Sequence, residues 1–170
     1  MLNKKTQPLR DVHASLLTGI ESLRMAGDVL DEGMLSYEVQ QKLDEAYGLL
    51  TKTLQPHSNA EEMTIYPVIQ KVMGNPLATD TMIYDHKEIA SLTQQLIMQR
   101  SQILNPVLTQ TSANSLRRVL YGLYTLVKMH FAKEEEIYLP LLDIYLKDDE
   151  AAIMFTELEA ASQGEILQEA

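Results

Sequence analysis

Cysteine is absent from the 170-residue chain, which excludes disulfide bridges, thiolate metal ligands and catalysis by a thiol. Long apolar runs are absent too, since no stretch approaches the roughly 18 apolar residues of a transmembrane helix. The N-terminal residues MLNKKTQPLRD are basic, but the apolar segment of a secretory signal does not follow them. From these absences we expect a soluble, cytoplasmic protein with no membrane partner, and the length is that of one domain over residues 1–170.

Positive charge is scarce: 14 lysines and arginines stand against 24 aspartates and glutamates, for a net charge of −10 at pH 7. Binding to a phosphate backbone requires clustered Lys and Arg, so this balance argues against a nucleic-acid partner. We expect most of the excess acid to lie on a solvated surface.

Glycine and proline are few, with seven and six residues, and the residues that favour helices are common. Apolar side chains recur at helical spacing in four long segments separated by turn-forming stretches. The segments run from Leu9 to near Gly33, from about Tyr37 to near Gly74 with an interruption at Pro56, from the Thr79–Asp80 cap through Leu96, and from Ser112–Ser115 into residues 130–140. This pattern predicts an all-α fold, an antiparallel up-down-up-down four-helix bundle over residues 9–146. A short amphipathic helix and a frayed tail after Gly164 are expected over residues 148–170.

One eleven-residue phrase occurs twice in the chain. HSNAEEMTIYP spans residues 57–67 and HFAKEEEIYLP spans residues 130–140, and both have Glu at the fifth and sixth positions. Adding 73 to a residue number converts His57 to His130 and Glu61 to Glu134, and the same shift converts His13 to His86. The sequence therefore predicts two similar helical hairpins, related by a pseudo-twofold axis.

The repeated phrase places His and Glu four residues apart, on one face of a helix and one turn from each other. Apolar residues share that face, so these side chains are predicted to point into the bundle. A buried carboxylate must be paired, protonated or bound to a cation, and no Lys or Arg shares the face. Nitrogen and oxygen donors without sulfur suit iron, manganese or zinc. The predicted metal ligands are His13, His57, Glu61, His86, His130 and Glu134.

Two carboxylates among four histidines suit two metal ions, with Glu61 and Glu134 able to bridge them. Octahedral ions would retain positions for a solvent bridge and an exogenous ligand, which favours chemistry or sensing over a closed structural site. The alternative is a metal-free bundle with a buried polar network.

The residues beside the predicted ligands have other expected roles. Glu62 and Glu135 are rotated by about 100° from the ligand face, so we expect them to be solvated or to contact the ligands rather than to bind metal. Pro67 and Pro140 are expected to end or bend their helices just past the site. Tyr138 is the tyrosine expected to approach the metals.

The order His13, His57-x-x-x-Glu61-Glu62, His86, His130-x-x-x-Glu134-Glu135 resembles the hemerythrin-like HHE cation-binding family, over residues 9–146. The resemblance implies a four-helix bundle around a non-haem di-iron centre, with the histidines as terminal ligands and the two glutamates as bridging ligands. Oxygen-carrying hemerythrins have a fifth histidine, one helical turn from another on the third helix. In this chain the turn-neighbours of His86 are Met82 and Ala90. The four-histidine set is therefore nearer to the repair-of-iron-centres branch.

Three hypotheses for function come from these observations. The first is a di-iron protein that binds or reacts with O2, NO or peroxide, as a redox or gas sensor, a scavenger or an iron-centre repair factor. The second is an iron-responsive interaction module without turnover, which would bind a protein partner or a second copy through the acidic fifth helix. The third is the metal-free structural bundle. Two iron ions are the expected cofactors, ahead of manganese or zinc, and no general base or nucleophile points to an organic substrate.

Overall fold

Helices make up nearly all of the computed structural model, which describes residues 4–30, 33–34, 36–102 and 107–163. The α-helical segments are α1 (Gln7–Val29), α2 (Tyr37–Leu49), α3 (Gln55–Met73), α4 (Asp80–Gln102), α5 (Gln110–Lys133), α6 (Leu139–Tyr145) and α7 (Asp148–Ser162). A π-helical turn, Leu50–Leu54, joins α2 to α3, and a second one, Glu134–Tyr138, joins α5 to α6. The described residues therefore form four long helices and the short C-terminal helix α7, which confirms the predicted helical bundle. The frayed tail predicted after Gly164 lies outside the described residues.

The helix boundaries follow local capping chemistry. The side chains of Ser36 and Thr109 accept hydrogen bonds from backbone N–H groups in the first turns of α2 and α5, which satisfies donors that have no partner inside a helix. Gly74 ends α3 with φ of 62°, a left-handed conformation that favours glycine. The first helix ends at Val29, short of the predicted Gly33, where the backbone of Leu30 becomes extended. Beyond it, Gly33–Met34 (β1) pairs antiparallel with Val107–Leu108 (β2).

One residue after each π-helical turn, a proline is the second residue of the next helical segment. The N–H groups of Gln55 and Leu139 donate to the carbonyls five residues earlier, and Pro56 and Pro140 follow them. Proline has no N–H group and its ring clashes with the carbonyl four residues earlier, and a wider turn relieves this conflict. The interruption predicted at Pro56 is therefore a π-helical turn. Pro67 and Pro140 do not end their helices, since α3 continues to Met73 and α6 to Tyr145.

The apolar core consists of two clusters with a polar layer between them. One cluster fills the space between α1, α2, α4 and α5, and the other involves α3, α6 and α7 together with the beginnings of α1 and α4. Along the chain, each histidine has a residue of one cluster before it and a residue of the other cluster after it, or the reverse. These flanking pairs are Leu9 and Leu16 for His13, Ala60 and Leu54 for His57, Met82 and Ile89 for His86, and Leu139 and Val127 for His130.

The C-terminal helix α7 packs along α3, and its buried face consists of Ala151, Met154 and Leu158. It therefore covers the half of the bundle that contains the second apolar cluster. Among the described residues, no helix is both long enough and apolar enough to cross a membrane.

Candidate metal centre

The structure brings all six predicted ligands together in the polar layer of the core. α1 contributes His13, α3 contributes His57 and Glu61, α4 contributes His86, α5 contributes His130, and the second π-helical turn contributes Glu134. Each of these residues is at most 5% exposed. Six ionisable groups are thus withdrawn from water within one layer, an arrangement that is costly without a compensating charge.

Glu61 faces histidines from both halves of the repeat. Its Oε1 lies 3.1 Å from Nε2 of His57 and 3.4 Å from Nε2 of His13. Its Oε2 lies 3.6 Å from Nε2 of His86. One carboxylate oxygen therefore points to the pair His13 and His57, and the other points to the opposite pair.

Glu134 has the complementary arrangement. Its Oε1 lies 3.4 Å from Nε2 of His130, and its Oε2 lies 3.4 Å from Nε2 of His13. The Nε2 atoms of His86 and His130 are 2.9 Å apart. The two glutamates therefore both span the space between the two histidine pairs.

These donors fit metal ions in spacing and in chemistry. Donor atoms about 2.1 Å from a cation lie about 3.0 Å apart at right angles and about 3.4 Å apart at tetrahedral angles, close to the spacings at this site. Among the described residues, four buried side-chain atoms have no hydrogen-bond partner, and three belong to this cluster: His57 Nε2, Glu61 Oε2 and Glu134 Oε2. Buried polar atoms are normally paired, and a cation between these atoms could supply the partner that they lack.

Carboxylates outside the cluster hold the outer ring nitrogens of three histidines. Nδ1 of His13 lies 2.9 Å from Glu135, and Nδ1 of His86 lies 2.8 Å from Glu62. These two contacts are equivalent under the shift of 73 residues, so Glu62 and Glu135 each contact a predicted ligand on the side away from the cluster. A carboxylate in this position fixes the ring orientation and leaves Nε2 free to bind a cation.

The third supporting carboxylate, Asp85, was not predicted from the sequence. It lies 3.2 Å from Nδ1 of His130 and forms an ion pair with Lys133. Arg10 forms an ion pair with Glu135 and another, at 3.3 Å, with Asp143. Its place in the sequence could have pointed to Asp85, because it directly precedes a predicted ligand and faces a neighbouring helix.

A tyrosine reaches the cluster, but it is Tyr66 and not the predicted Tyr138. The Tyr66 hydroxyl donates to Oε1 of Glu134 at 2.8 Å and lies 3.2 Å from Nε2 of His86. The Tyr138 hydroxyl instead donates to the backbone carbonyl of Ala78 at 2.9 Å. Tyr138 is the last residue of a π-helical turn, whose wider winding displaces it from the position that α-helical counting assigns.

The buried histidines and glutamates of the cluster shift one another's pKa values. Burial alone lowers the pKa of His130, but its hydrogen bonds with Asp85 and Glu134 outweigh burial and raise this pKa to about 9. Burial also opposes ionisation of Glu61, yet the imidazoles of His57 and His13 hold the pKa of its carboxyl well below the usual range. The carboxylates of the cluster therefore need positive charge nearby, which protonated imidazoles or bound cations can supply.

Two further pKa shifts concern Tyr66 and His86. Burial and the charge of Glu134 raise the pKa of Tyr66 far above its ordinary value, so its hydroxyl stays protonated and acts as a donor. Burial and the neighbouring His130 lower the pKa of His86. A neutral imidazole is the form that binds a metal.

Four imidazoles and two carboxylates inside a helical bundle are typical of metal-binding helical bundles, and this is the class that the fold and the cluster indicate. The family model of the hemerythrin HHE cation binding domain matches residues 5–142, most of the chain. The chain therefore belongs to the hemerythrin HHE cation-binding family, and cation binding is the property that the family implies. No curated protein and no solved structure matches the chain. The match is to the family as a whole, so the repair-of-iron-centres branch stays a prediction.

Proposed function

We propose that the protein binds two iron ions in the polar layer of the bundle and reacts there with a small ligand such as O2, NO or peroxide. His13 and His57 would hold one ion, and His86 and His130 the other. Glu61 and Glu134 would bridge the two ions. The cellular role that we propose is that of a redox or gas sensor, a scavenger or an iron-centre repair factor in the cytoplasm.

The observation that carries this proposal is the orientation of the two glutamates. Each carboxylate directs one oxygen to each histidine pair, at 3.1–3.6 Å from imidazole nitrogens. A single cation would need only one oxygen of each carboxylate, whereas two adjacent cations use both. Nitrogen and oxygen donors in this number suit iron better than a closed, four-coordinate zinc site.

The chain's own residues prepare the site for a small ligand. When bound, two iron ions supply electrons and open coordination positions. Phe131 stacks on the ring of His13 with a centroid distance of 4.4 Å, and apolar clusters lie on both sides of the polar layer. The Tyr66 hydroxyl is a fixed hydrogen-bond donor beside Glu134 and His86. These features suit a diatomic molecule or peroxide more than a charged organic substrate.

The first test is iron content in matched variants. We expect two iron ions per chain in the reconstituted protein, fewer in Glu134→Gln, and two in Glu136→Gln, which changes an exposed carboxylate in the same π-helical turn. Metal analysis and the absorption spectrum provide the readouts. Saturation at one ion per chain, or equal losses in the two variants, would refute the bridging role.

The second test is reactivity. Because the chain has only four histidines, we expect reduced protein to oxidise on exposure to air rather than to bind O2 reversibly, and to change its spectrum with NO under anaerobic conditions. Repeated, reversible oxygenation would indicate an oxygen carrier instead. A reduced protein whose spectrum responds to neither gas would favour the interaction module.

A further inference from the structure

We propose that the two metal positions are not equivalent: the position at His13 and His57 exchanges its ion readily, and the position at His86 and His130 retains it. This inference rests on the proposed two-metal cluster. It comes from residues at which the two halves of the repeat differ.

The first difference lies behind the histidines. His130 is held by Asp85, which is paired with Lys133. Subtracting 73 from these numbers gives His57, Val12 and Ala60. His57 therefore has apolar residues where His130 has a carboxylate and an ammonium group, and among the described residues no hydrogen-bond partner for its Nδ1 is found.

The second difference lies at the centre of the cluster. Tyr66 donates to Glu134 and lies beside His86, whereas the equivalent position in the other half is Leu139. The tyrosine ring also stacks on the ring of His86, with a centroid distance of 5.5 Å. Tyr66 thus places a hydroxyl group and a ring against the position at His86 and His130, and the position at His13 and His57 has no equivalent polar group.

The third difference is access from outside. A cavity of about 520 Å³ lies between α1, the start of α3 and α7, and His57 is part of its wall. Other lining residues are Val12, Leu16, Pro56, Phe155 and Thr156. Water or a chelator can therefore approach the ring of His57. Val12 and His57 line the same cavity, so a carboxylate at position 12 would face the histidine that lacks one.

All three differences favour weaker metal binding or easier access at the position of His13 and His57 than at the position of His86 and His130. A carboxylate on the outer nitrogen of a histidine fixes the ring and raises its basicity, and losing it typically weakens metal binding about 10- to 100-fold. Both histidines of the retained position have such a carboxylate, whereas at the exchangeable position only His13 has one. The cavity gives the weaker position a path for exchange.

The experiment is release of iron to a chelator from the protein loaded with two ions per chain, followed by absorption. We expect two phases of one ion each, with rates about 10- to 100-fold apart. Asp85→Asn should accelerate the slow phase and leave the fast one unchanged. Val12→Asp should slow the fast phase, while Val29→Asp, the same change on the far end of α1, should alter neither. Thr156→Phe should slow the fast phase by narrowing the cavity.

The outcomes separate this inference from the proposed function. Two ions per chain released in a single phase would overturn the inference and leave the two-metal centre standing. Acceleration of both phases by Asp85→Asn would also overturn it, because that result indicates a general loosening of the bundle. Saturation at one ion per chain would overturn both proposals. Asp85→Asn and Val12→Asp test opposite halves, so either variant suffices if the other does not fold.

Discussion

Replacing Tyr66 by Phe removes one hydroxyl from the centre of the cluster and keeps the ring. Tyr66 and Glu134 are 1% and 2% exposed, and the hydroxyl donates to the carboxylate at 2.8 Å. A hydrogen bond to a charged, buried group contributes about 1.5–3 kcal/mol. We therefore expect the chelated variant to lose about 2 kcal/mol of unfolding free energy, with a midpoint of thermal unfolding about 4–8 °C lower.

Tyr138→Phe is the matched control for this change. The Tyr138 hydroxyl is also buried, but it donates to the uncharged carbonyl of Ala78 at 2.9 Å. A bond of this kind contributes about 0.5–1.5 kcal/mol. Ala78 lies outside the candidate metal centre. Loss of the hydrogen bond between Tyr138 and Ala78 should therefore lower the unfolding free energy equally with and without iron. In the loaded protein a cation would share the charge of Glu134, so the cost of Tyr66→Phe should be smaller than in the chelated protein.

Urea denaturation followed by circular dichroism measures both variants, before and after chelation. We expect a larger loss of unfolding free energy for Tyr66→Phe than for Tyr138→Phe in the chelated protein, and a smaller difference between the two variants in the loaded protein. Equal costs for both variants under both conditions would show that the bond between Tyr66 and Glu134 has no special electrostatic value.

Chelation of the wild-type protein should lower its midpoint of thermal unfolding, because buried carboxylates lose their cations; equal midpoints would count against a metal role. In the chelated protein the pKa of His130 is raised from 6.5 to about 9, so its charged form stabilises the fold below pH 6.5 and this contribution is lost as the pH rises through 9. The raised pKa of His13 adds to this loss, whereas the lowered pKa of His86 changes stability below pH 6.5, outside this window. The unfolding free energy in urea should therefore fall by about 1–3 kcal/mol as the pH rises through the window. A flat or rising profile would contradict the raised pKa. Gly74→Ala forces a left-handed φ of 62° on a residue with a side chain and should cost about 1 kcal/mol or more. Gly48→Ala, with no atom within 4 Å of the added carbon, should stabilise α2 by about 0.5–1 kcal/mol. A higher midpoint of thermal unfolding for Gly74→Ala than for Gly48→Ala would contradict both predictions.

Much of the fold and of the candidate site could be predicted from spacing alone. Helical hydrogen bonds are local, so the residues that share a helix face can be read from the sequence. This is why His57 and Glu61 could be assigned to one inward face, and why the shift of 73 residues led to His130 and Glu134. The structure brings these residues together with the other two histidines, while their action as metal ligands stays a prediction.

The supporting contacts could not be predicted in the same way. Asp85 reaches His130 and Arg10 reaches Glu135 across helix interfaces. Such contacts depend on the rotation of each helix and on the angle at which helices cross, which follow from packing of the whole bundle. The sequence-based choice of Tyr138 was wrong for a related reason, since a π-helical turn changed the rotation of the helix after Glu134.

The sequence by itself determined the four amphipathic helices, the short fifth helix and the six inward-facing donors, because each depends on residues a few positions apart. Only the tertiary structure decided which donors face each other, that Tyr66 reaches the centre, and that one half of the cluster lies open to a cavity under α7. Those features depend on side chains from different helices meeting across the core. Their positions follow from how the apolar clusters pack, and spacing along the chain does not encode that packing.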